Sequence, residues 1–349
     1  MVWPEKEKIV FGVENMLKVN MGMKPGEPLL VVTDIPTTKQ WNLEPDAWII
    51  DVTERAMLAK LVAEIAAERF PDNPVTFHPF PATGSHGKEP DGSTAALMRK
   101  PQVILAITTY SLSHTNARLN ATKAGARIAS MPGFTARMLE EGGPMAVDYL
   151  QVSRDCHLFA DRLTASSKVE VRTPAGTDLR FSIAGRAAHV DDGLYDTDAR
   201  FGNLPAGEAY IVPVEGTGEG VLVVQAGWYP GLTEEMVLIF EKGEVVELRG
   251  GGAVGDHFRA LLQVGSQEQP YKSRRNLAEL GIGTNPNAKR PDNVLEAEKI
   301  KGTVHIAIGD DIHMGGSVEA DLHEDFVQPA PTLILDGEVV IQDGRWLIG

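Results

Sequence analysis

The segment PLLVVTD, from Pro28 to Asp34, is the first to indicate the fold. Its apolar run, Leu29 to Val32, stands between a proline and a Thr-Asp pair. A short apolar run with these boundaries is typical of a strand that is buried on both faces of a parallel sheet. The stretch TERAMLAKLVAEIAAERF, Thr53–Phe70, then follows with the apolar spacing of a helix.

The same alternation of strand and helix patterns continues through residues 1–150. PVTFHPF and Val103–Thr108 are predicted strands, and helical segments separate them. This order predicts a parallel α/β domain over residues 1–150. Neither of the glycine-rich phosphate-binding motifs, GxGxxG after a strand or GxxxxGK(S/T), occurs in it. The sequence therefore argues against a nucleotide site in spite of the expected topology.

The pattern changes after a predicted helical linker at 151–164. KVEVRTPAGTDLRFSIAG, Lys168–Gly185, alternates apolar and polar residues on both sides of a Pro-Ala-Gly-Thr-Asp turn, which predicts a hairpin. Further alternating segments are joined by the turns KGE, DGE and DGR. The predicted fold class is α/β followed by α+β. An N-terminal parallel α/β domain precedes a β-rich α+β catalytic domain at 165–349.

Composition and charge narrow the range of partners. The chain has 33 basic and 48 acidic residues, a net charge of −15. Nucleic acids and anionic membranes need a basic surface, so we expect neither as a partner. The single cysteine, Cys156, excludes an intramolecular disulfide. Neither a signal-peptide pattern nor an apolar run of about 20 residues is visible, so we expect a cytoplasmic protein.

Two glutamates of the second domain are candidate functional residues. Glu208 follows a Pro-Ala-Gly turn in GNLPAGEAYIVP and leads into an apolar strand; a solvated loop acid is the alternative. Glu279 has apolar and glycine neighbours in NLAELGIGTNPNAK, and a buried carboxylate must be paired or bound to a metal. An ion pair with Arg274 or Arg275 is its alternative. Gly281 would let the backbone pass close to a bound ion.

Two histidines and an aspartate complete the candidate set. His305 in GTVHIAIGDD lies on the opposite strand face from its large apolar neighbours, which suits a ligand, although a hydrogen-bonded structural histidine is the commoner case. His323 and Asp325 in DLHEDF are two residues apart, so both side chains face one side of an extended chain.

The five residues together have the chemistry of a catalytic metal centre. Two glutamates, two histidines and an aspartate without a thiolate suit Zn, Mn, Co or Fe(II). Five protein ligands exceed what one catalytic ion normally takes. The set therefore predicts two divalent ions per chain that share carboxylates and hold a hydroxide.

Successive blocks of the chain resemble the M29 family, also called the aminopeptidase T or thermophilic aminopeptidase family of metallopeptidases. The blocks occur in the family's order from Thr109 to the C-terminus: TYSLSHTNAR, TPAGTDLRF, NLPAGEAY, NLAELGIGTNPNA, GTVHIAIGD and HEDF with PTLILDGEVVIQDG. The resemblance implies a homodimeric two-metal exopeptidase that cleaves an amide or peptide bond next to a free amine in a small peptide. It implies metal ligands at Glu208, Glu279, His305, His323 and Asp325, with Glu208 and Glu279 as the catalytic carboxylates.

One difference from the M29 pattern, and a similarity to a second family, give two alternative functions. Members of the family place a tyrosine soon after the strand histidine, whereas no tyrosine lies between His305 and His323, and His313 or Asp311 is the candidate replacement. The chain is also similar to 2,5-dihydroxypyridine ring-cleaving dioxygenases, which bind one Fe(II) through two histidines and a carboxylate and have histidine at the position of Glu279. Because of this glutamate, we predict the aminopeptidase-like hydrolase. The alternatives are a mononuclear Fe(II) dioxygenase and a metal-binding protein without catalysis.

Overall fold

The computed structural model describes residues 4–348. Its α-helices are α1 (Lys6–Asn15), α2 (Thr38–Leu43), α3 (Asp46–Arg69), α4 (Gly92–Leu97), α5 (Asn116–Lys123), α6 (Tyr149–Ala165), α7 (Gly252–Leu262) and α8 (Val294–Ala297). Its strands are β1 (Leu29–Ile35), β2 (Val75–Pro81), β3 (Val103–Thr108), β4 (Arg127–Pro132), β5 (Lys168–Arg172), β6 (Asp178–Ser182), β7 (His189–Asp191), β8 (Phe201–Asn203), β9 (Glu208–Ile211), β10 (Glu219–Val224), β11 (Met236–Glu241), β12 (Glu244–Gly250), β13 (Leu277–Gly283), β14 (Val304–Gly309), β15 (His323–Gln328), β16 (Thr332–Leu335), β17 (Glu338–Gln342) and β18 (Arg345–Trp346).

The chain forms two compact units. The first runs to Tyr149 and also includes Gly193–Ala206, and the second consists of Leu150–Asp192 and the chain from Gly207 onward. The return of Gly193–Ala206 to the first unit differs from the predicted extent of the second domain, 165–349. It occurs because β8 pairs in parallel with β4. The predicted linker, 151–164, is part of α6.

The first unit is built on a parallel sheet with the strand order β2-β1-β3-β4-β8. The apolar run that begins at Leu29 lies in β1, and all its residues are buried, as are those of β3. The long helix α3 packs on β1 and β2 and buries Leu58, Val62 and Ile65. The parallel α/β class predicted from PLLVVTD and the helix after it is therefore confirmed.

The described part of the second unit contains two antiparallel sheets. One has the order β12-β11-β10-β6-β5-β16-β17-β18, and the other has the order β15-β14-β13-β9-β7. The predicted hairpin is the β5–β6 pair, whose turn contains Gly176 at a φ of 108°. The β-rich α+β class predicted for this half is also confirmed.

The two sheets share one apolar core, which determines the face of the second sheet on which the polar residues lie. The second sheet contributes Leu280, Ile282, Ile306, Ile308 and Phe326 to a buried cluster that also contains residues of the first sheet. Each such side chain contributes about 1.5–3 kcal/mol on burial, so the sheet is firmly held. Because side chains alternate along a strand, the residues between these lie on the opposite face. That face carries the candidate site.

No described helix has the length and apolar character that are required to cross a bilayer.

Candidate metal centre

The pairing of four neighbouring strands brings the predicted residues to one face of the second sheet. Ala307 on β14 lies opposite both Glu279 on β13 and Asp325 on β15. Residues that are directly opposite in a ladder project to the same side, and so does His305, two positions before Ala307. Glu208 lies on β9, which pairs with β13, so four strands supply one constellation.

The two imidazoles converge on Glu279. His305 Nε2 lies 3.1 Å from Glu279 Oε1, and His323 Nε2 lies 3.2 Å from Glu279 Oε2. Asp325 Oδ1 lies 3.7 Å from His323 Nε2 and 4.0 Å from His305 Nε2. Glu208 Oε2 lies 3.5 Å from His305 Nε2. All five residues singled out in the sequence are therefore brought together, and their role as metal ligands remains a proposal.

The donor atoms form two overlapping groups of three. Glu208, Glu279 and His305 form the first, and Glu279, His323 and Asp325 form the second. Within each group the donor atoms lie within 4.8 Å of one another, and Glu279 belongs to both. This arrangement is compact enough for a divalent ion to replace the contacts between the side chains.

Buried polar atoms without hydrogen-bond partners show that the residues fit a cation. Among the described residues, Glu208 Oε2 and Asp325 Oδ1 are both buried with no hydrogen-bond partner. An unsatisfied buried polar atom costs about 1–3 kcal/mol, more when it carries charge. An ion bound at Asp325 Oδ1 would remove that cost for this oxygen. The nitrogen and oxygen donors, without a thiolate, suit a catalytic divalent metal.

Gly281 makes room for the His305 ring. It lies opposite His305 in the β13–β14 ladder, and a Cβ at this position would be 1.9 Å from His305 Nε2. No side chain can therefore occupy the position while the imidazole keeps its orientation. The expectation that this glycine lets the backbone pass close to an ion is replaced by a more specific role, which is to accommodate a ligand ring.

A backbone carbonyl orients the second imidazole. His323 Nδ1 lies 2.8 Å from the carbonyl oxygen of Asp310, so in the neutral ring Nδ1–H donates and Nε2 presents its lone pair to the carboxylates. The Asp310 carboxylate lies 2.7 Å from His313 Nδ1. Asp311 accepts hydrogen bonds from the Val318 N–H and the Asn276 amide, so it stabilises this loop.

The two arginines proposed as alternative partners of Glu279 pair with other acids. Arg274 binds Asp321 at 2.7 Å, and Arg275 lies 3.4 Å from Glu244. Glu279 is instead surrounded by the imidazoles, which favours the metal-binding interpretation over the ion-pair alternative.

The pKa values of the site show how strongly its charges interact. Burial alone would lower the pKa of His305, but the hydrogen bond to Glu279 and the nearby Glu208 and Asp325 raise it to about 9. Burial opposes ionisation of Asp325, but His323 and His305 hold its pKa well below the usual range. In the absence of a metal, protons on the imidazoles thus compensate the acids. A divalent ion would displace those protons.

Sequence reasoning missed a buried lysine beside the site. Lys299 Nζ lies 2.6 Å from Glu208 Oε1, 3.0 Å from Glu298 Oε2 and 4.0 Å from Asp191 Oδ2. In the sequence it belongs to LEAEKIK, which has the charge pattern of a solvated segment. Only the folded position of this segment reveals the contact.

The geometry and the fold define a candidate metal centre that is built from imidazoles and carboxylates on one face of an antiparallel sheet. The chain belongs to the 2,5-dihydroxypyridine 5,6-dioxygenase family, whose model matches residues 24–348. A curated 2,5-dihydroxypyridine 5,6-dioxygenase of Pseudomonas putida strain KT2440 is 24% identical over 271 residues, which cover 72% of this chain and 73% of that protein.

Two solved structures share the fold. The 2,5-dihydroxypyridine dioxygenase of Pseudomonas putida KT2440 has a TM-score of 0.70 at 18% identity and covers 98% of both chains. AmpT from Thermus thermophilus has a TM-score of 0.65 at 17% identity, over 98% of this chain and all of that one. At these identities both likenesses concern the fold alone.

The family match corrects the predicted function. The prediction of an aminopeptidase-like hydrolase, with its metalloprotease chemistry and peptide substrate, is wrong, because the family is one of dioxygenases. The resemblance to aminopeptidases reflects a shared fold. The error came from the weight given to Glu279. The structure places His305 beside this glutamate, so two imidazoles and a carboxylate meet without a histidine at position 279.

Proposed function

We propose that this protein is an Fe(II)-dependent dioxygenase that opens the ring of a dihydroxylated pyridine. The family match over residues 24–348 supports the reaction class, and the activity of the Pseudomonas putida relative supports 2,5-dihydroxypyridine as the first substrate to test. The observation that carries the proposal is the approach of His305 and His323 to the same acids. Two histidines and one carboxylate with open positions are the donor set of non-haem Fe(II) oxygenases.

His305, His323 and Asp325 are the proposed ligands of one ferrous ion, with Glu279 lying between the two imidazoles. Such an ion supplies the one-electron chemistry that allows dioxygen to react with an aromatic ring. The expectation of two ions per chain rested on the number of candidate ligands, and one ion is proposed instead. The Asp310 carbonyl keeps His323 in the tautomer that can bind a metal, and Gly281 keeps room for the His305 ring.

Glu208 is the proposed acceptor for a proton from a substrate hydroxyl. Its Oε1 is bound by Lys299, while its buried Oε2 has no hydrogen-bond partner within the described part of the chain. Oε2 faces the same space as His305 Nε2, at 3.5 Å. A general base needs this combination of a fixed carboxylate and an oxygen that is available to the substrate.

Oxygen consumption tests the proposal. The protein is loaded with Fe(II) without oxygen, and uptake is recorded after 2,5-dihydroxypyridine and air are added. We expect uptake equal to the substrate consumed, with loss of the ring absorbance. His323→Ala should abolish uptake together with iron binding, whereas His257→Ala, which changes an exposed histidine on α7, should retain both. An iron-loaded protein without uptake on dihydroxylated pyridines and benzenes would leave only the non-catalytic metal-binding alternative.

A further inference from the structure

Lys299 is a fixed positive charge beside the candidate metal centre. Its side chain is only 2% exposed, and its ammonium group contacts Glu208 and Glu298 directly. The backbone holds it there, because the Asn285 N–H donates to the Lys299 carbonyl and the Lys301 N–H donates to the Asn285 carbonyl. Gly283 permits this close approach, since a Cβ there would lie 2.2 Å from the Ile300 carbonyl oxygen.

The position of this ammonium group matters because Glu208 belongs to only one of the two donor groups. An ion held by Glu208, Glu279 and His305 would have to share Glu208 with Lys299, whose Nζ lies 2.6 Å from Oε1. Two positive charges on one buried carboxylate repel each other strongly at low dielectric. Lys299 also leaves Glu208 a single oxygen, Oε2, for any other partner.

The second group of donors does not share a carboxylate with Lys299. Glu279, His323 and Asp325 are the members of that group, and His305 Nε2 lies within 4.0 Å of both acids. In the described structure the lysine contacts are with Glu208, Glu298 and Asp191, none of which belongs to this group. One ion can therefore bind here while Lys299 stays in place.

We propose that Lys299 limits the centre to a single divalent ion. Its ammonium group takes the position of a second cation beside Glu208, so that Glu208 is the partner of Lys299 and not a metal ligand. This inference rests on the metal centre of the proposed function but is independent of the reaction carried out there.

Removal of the lysine charge should create a second metal site. Without Lys299, the largely buried carboxylates of Glu208 and Glu298 would lose the ammonium group that contacts both, and Glu208 Oε2 would still lie 3.5 Å from His305 Nε2. Buried acids in this state need a counter-charge. A second divalent ion is the counter-charge available in a metal titration.

Metal counting tests the inference. Apoprotein is titrated with Co(II) without oxygen, and bound metal is measured after gel filtration. We expect one ion per chain in the wild type and two in Lys299→Met. The matched control is Lys301→Met, which removes a lysine two positions away that is 39% exposed and pairs with Asp155. This control should bind one ion. Two ions in the wild type, or one in folded Lys299→Met, would overturn the inference.

A second variant keeps the test decisive if Lys299→Met does not fold. Glu208→Gln retains Lys299 and should still bind one ion, with a dissociation constant within about threefold of the wild type. Loss of the ion in a folded Glu208→Gln protein, as judged by circular dichroism, would show that Glu208 is a ligand and would refute the inference. Because metal is counted without substrate, failure of the dioxygenase assay leaves this result unaffected.

Discussion

Replacement of Gly281 by alanine should weaken metal binding, because the new side chain would displace the His305 ring. The new Cβ would lie 1.9 Å from Nε2 and 2.0 Å from Cε1, whereas ordinary contacts begin at 3.4 Å. The imidazole must therefore move by about 1.5 Å. The backbone of β13 cannot yield easily, since β9 and β14 pair with it on both sides.

The size of the effect follows from that displacement. Metal–ligand distances tolerate only about 0.2 Å, so a ring moved by about 1.5 Å no longer binds. Mutations that merely reorient a ligand weaken binding by about 10–100-fold, and loss of the ligand should reach at least the upper value. A 100-fold loss corresponds to about 2.8 kcal/mol. Overpacking should also lower the stability of the apoprotein by about 1–3 kcal/mol.

Competition with a chromophoric chelator measures the affinity, and denaturant unfolding measures the stability. Gly92→Ala is the matched control, since a Cβ there meets nothing within 4 Å and its φ does not favour glycine. It should change neither quantity appreciably. If Gly281→Ala binds metal as tightly as the wild type, then His305 is not a ligand or its ring is not held as described, and the reasoning fails.

Three further perturbations have defined outcomes. Glu279→Gln removes the carboxylate shared by both imidazoles and should weaken metal binding at least tenfold in the same chelator assay; unchanged affinity would exclude Glu279 from the site. The pKa of His305, about 9, exceeds the value of about 6.5 in an unfolded chain. The stability that its proton gives the apoprotein is complete below pH about 6.5 and is lost as pH rises through about 9, while metal affinity rises over the same interval. Thermal unfolding and metal titration across this range check both trends, and a flat profile in both would contradict them. Arg127→Met leaves Glu27 without its fully buried partner. It should lower the free energy of unfolding, measured with denaturant, by about 3–5 kcal/mol and leave the number of bound metal ions unchanged. A loss below about 1 kcal/mol would show that the ion pair does not stabilise the fold.

Much of the fold and the candidate ligands could be predicted because local patterns determine them. The apolar run from Leu29 and the helix after it required a parallel sheet, and both appear. Alternation along the strand separated His305 from its apolar neighbours, and the spacing of His323 and Asp325 placed both on one face. These arguments concern residues within a few positions of one another. They hold whenever the predicted strand forms.

Features that depend on distant contacts could not be predicted. Lys299 is 91 positions from Glu208, and its charge pattern resembles that of a solvated segment. The return of Gly193–Ala206 to the first unit depends on the pairing of a three-residue strand, which has little sequence signal. The incorrect hydrolase prediction has a different cause, since Glu279 and His305 were already expected in one metal centre. It rested on the glutamate at position 279, whereas the structure brings two imidazoles together without a histidine at that position.

Isotopically labelled dioxygen gives the most direct test of the central claim, that this centre performs dioxygenation. Fe(II)-loaded protein is supplied with 2,5-dihydroxypyridine and labelled dioxygen, and the ring-opened product is analysed by mass spectrometry. We expect a product that carries both labelled oxygen atoms and is heavier than the substrate by one dioxygen molecule. Unchanged substrate, or a product whose added oxygen comes only from water, would contradict it.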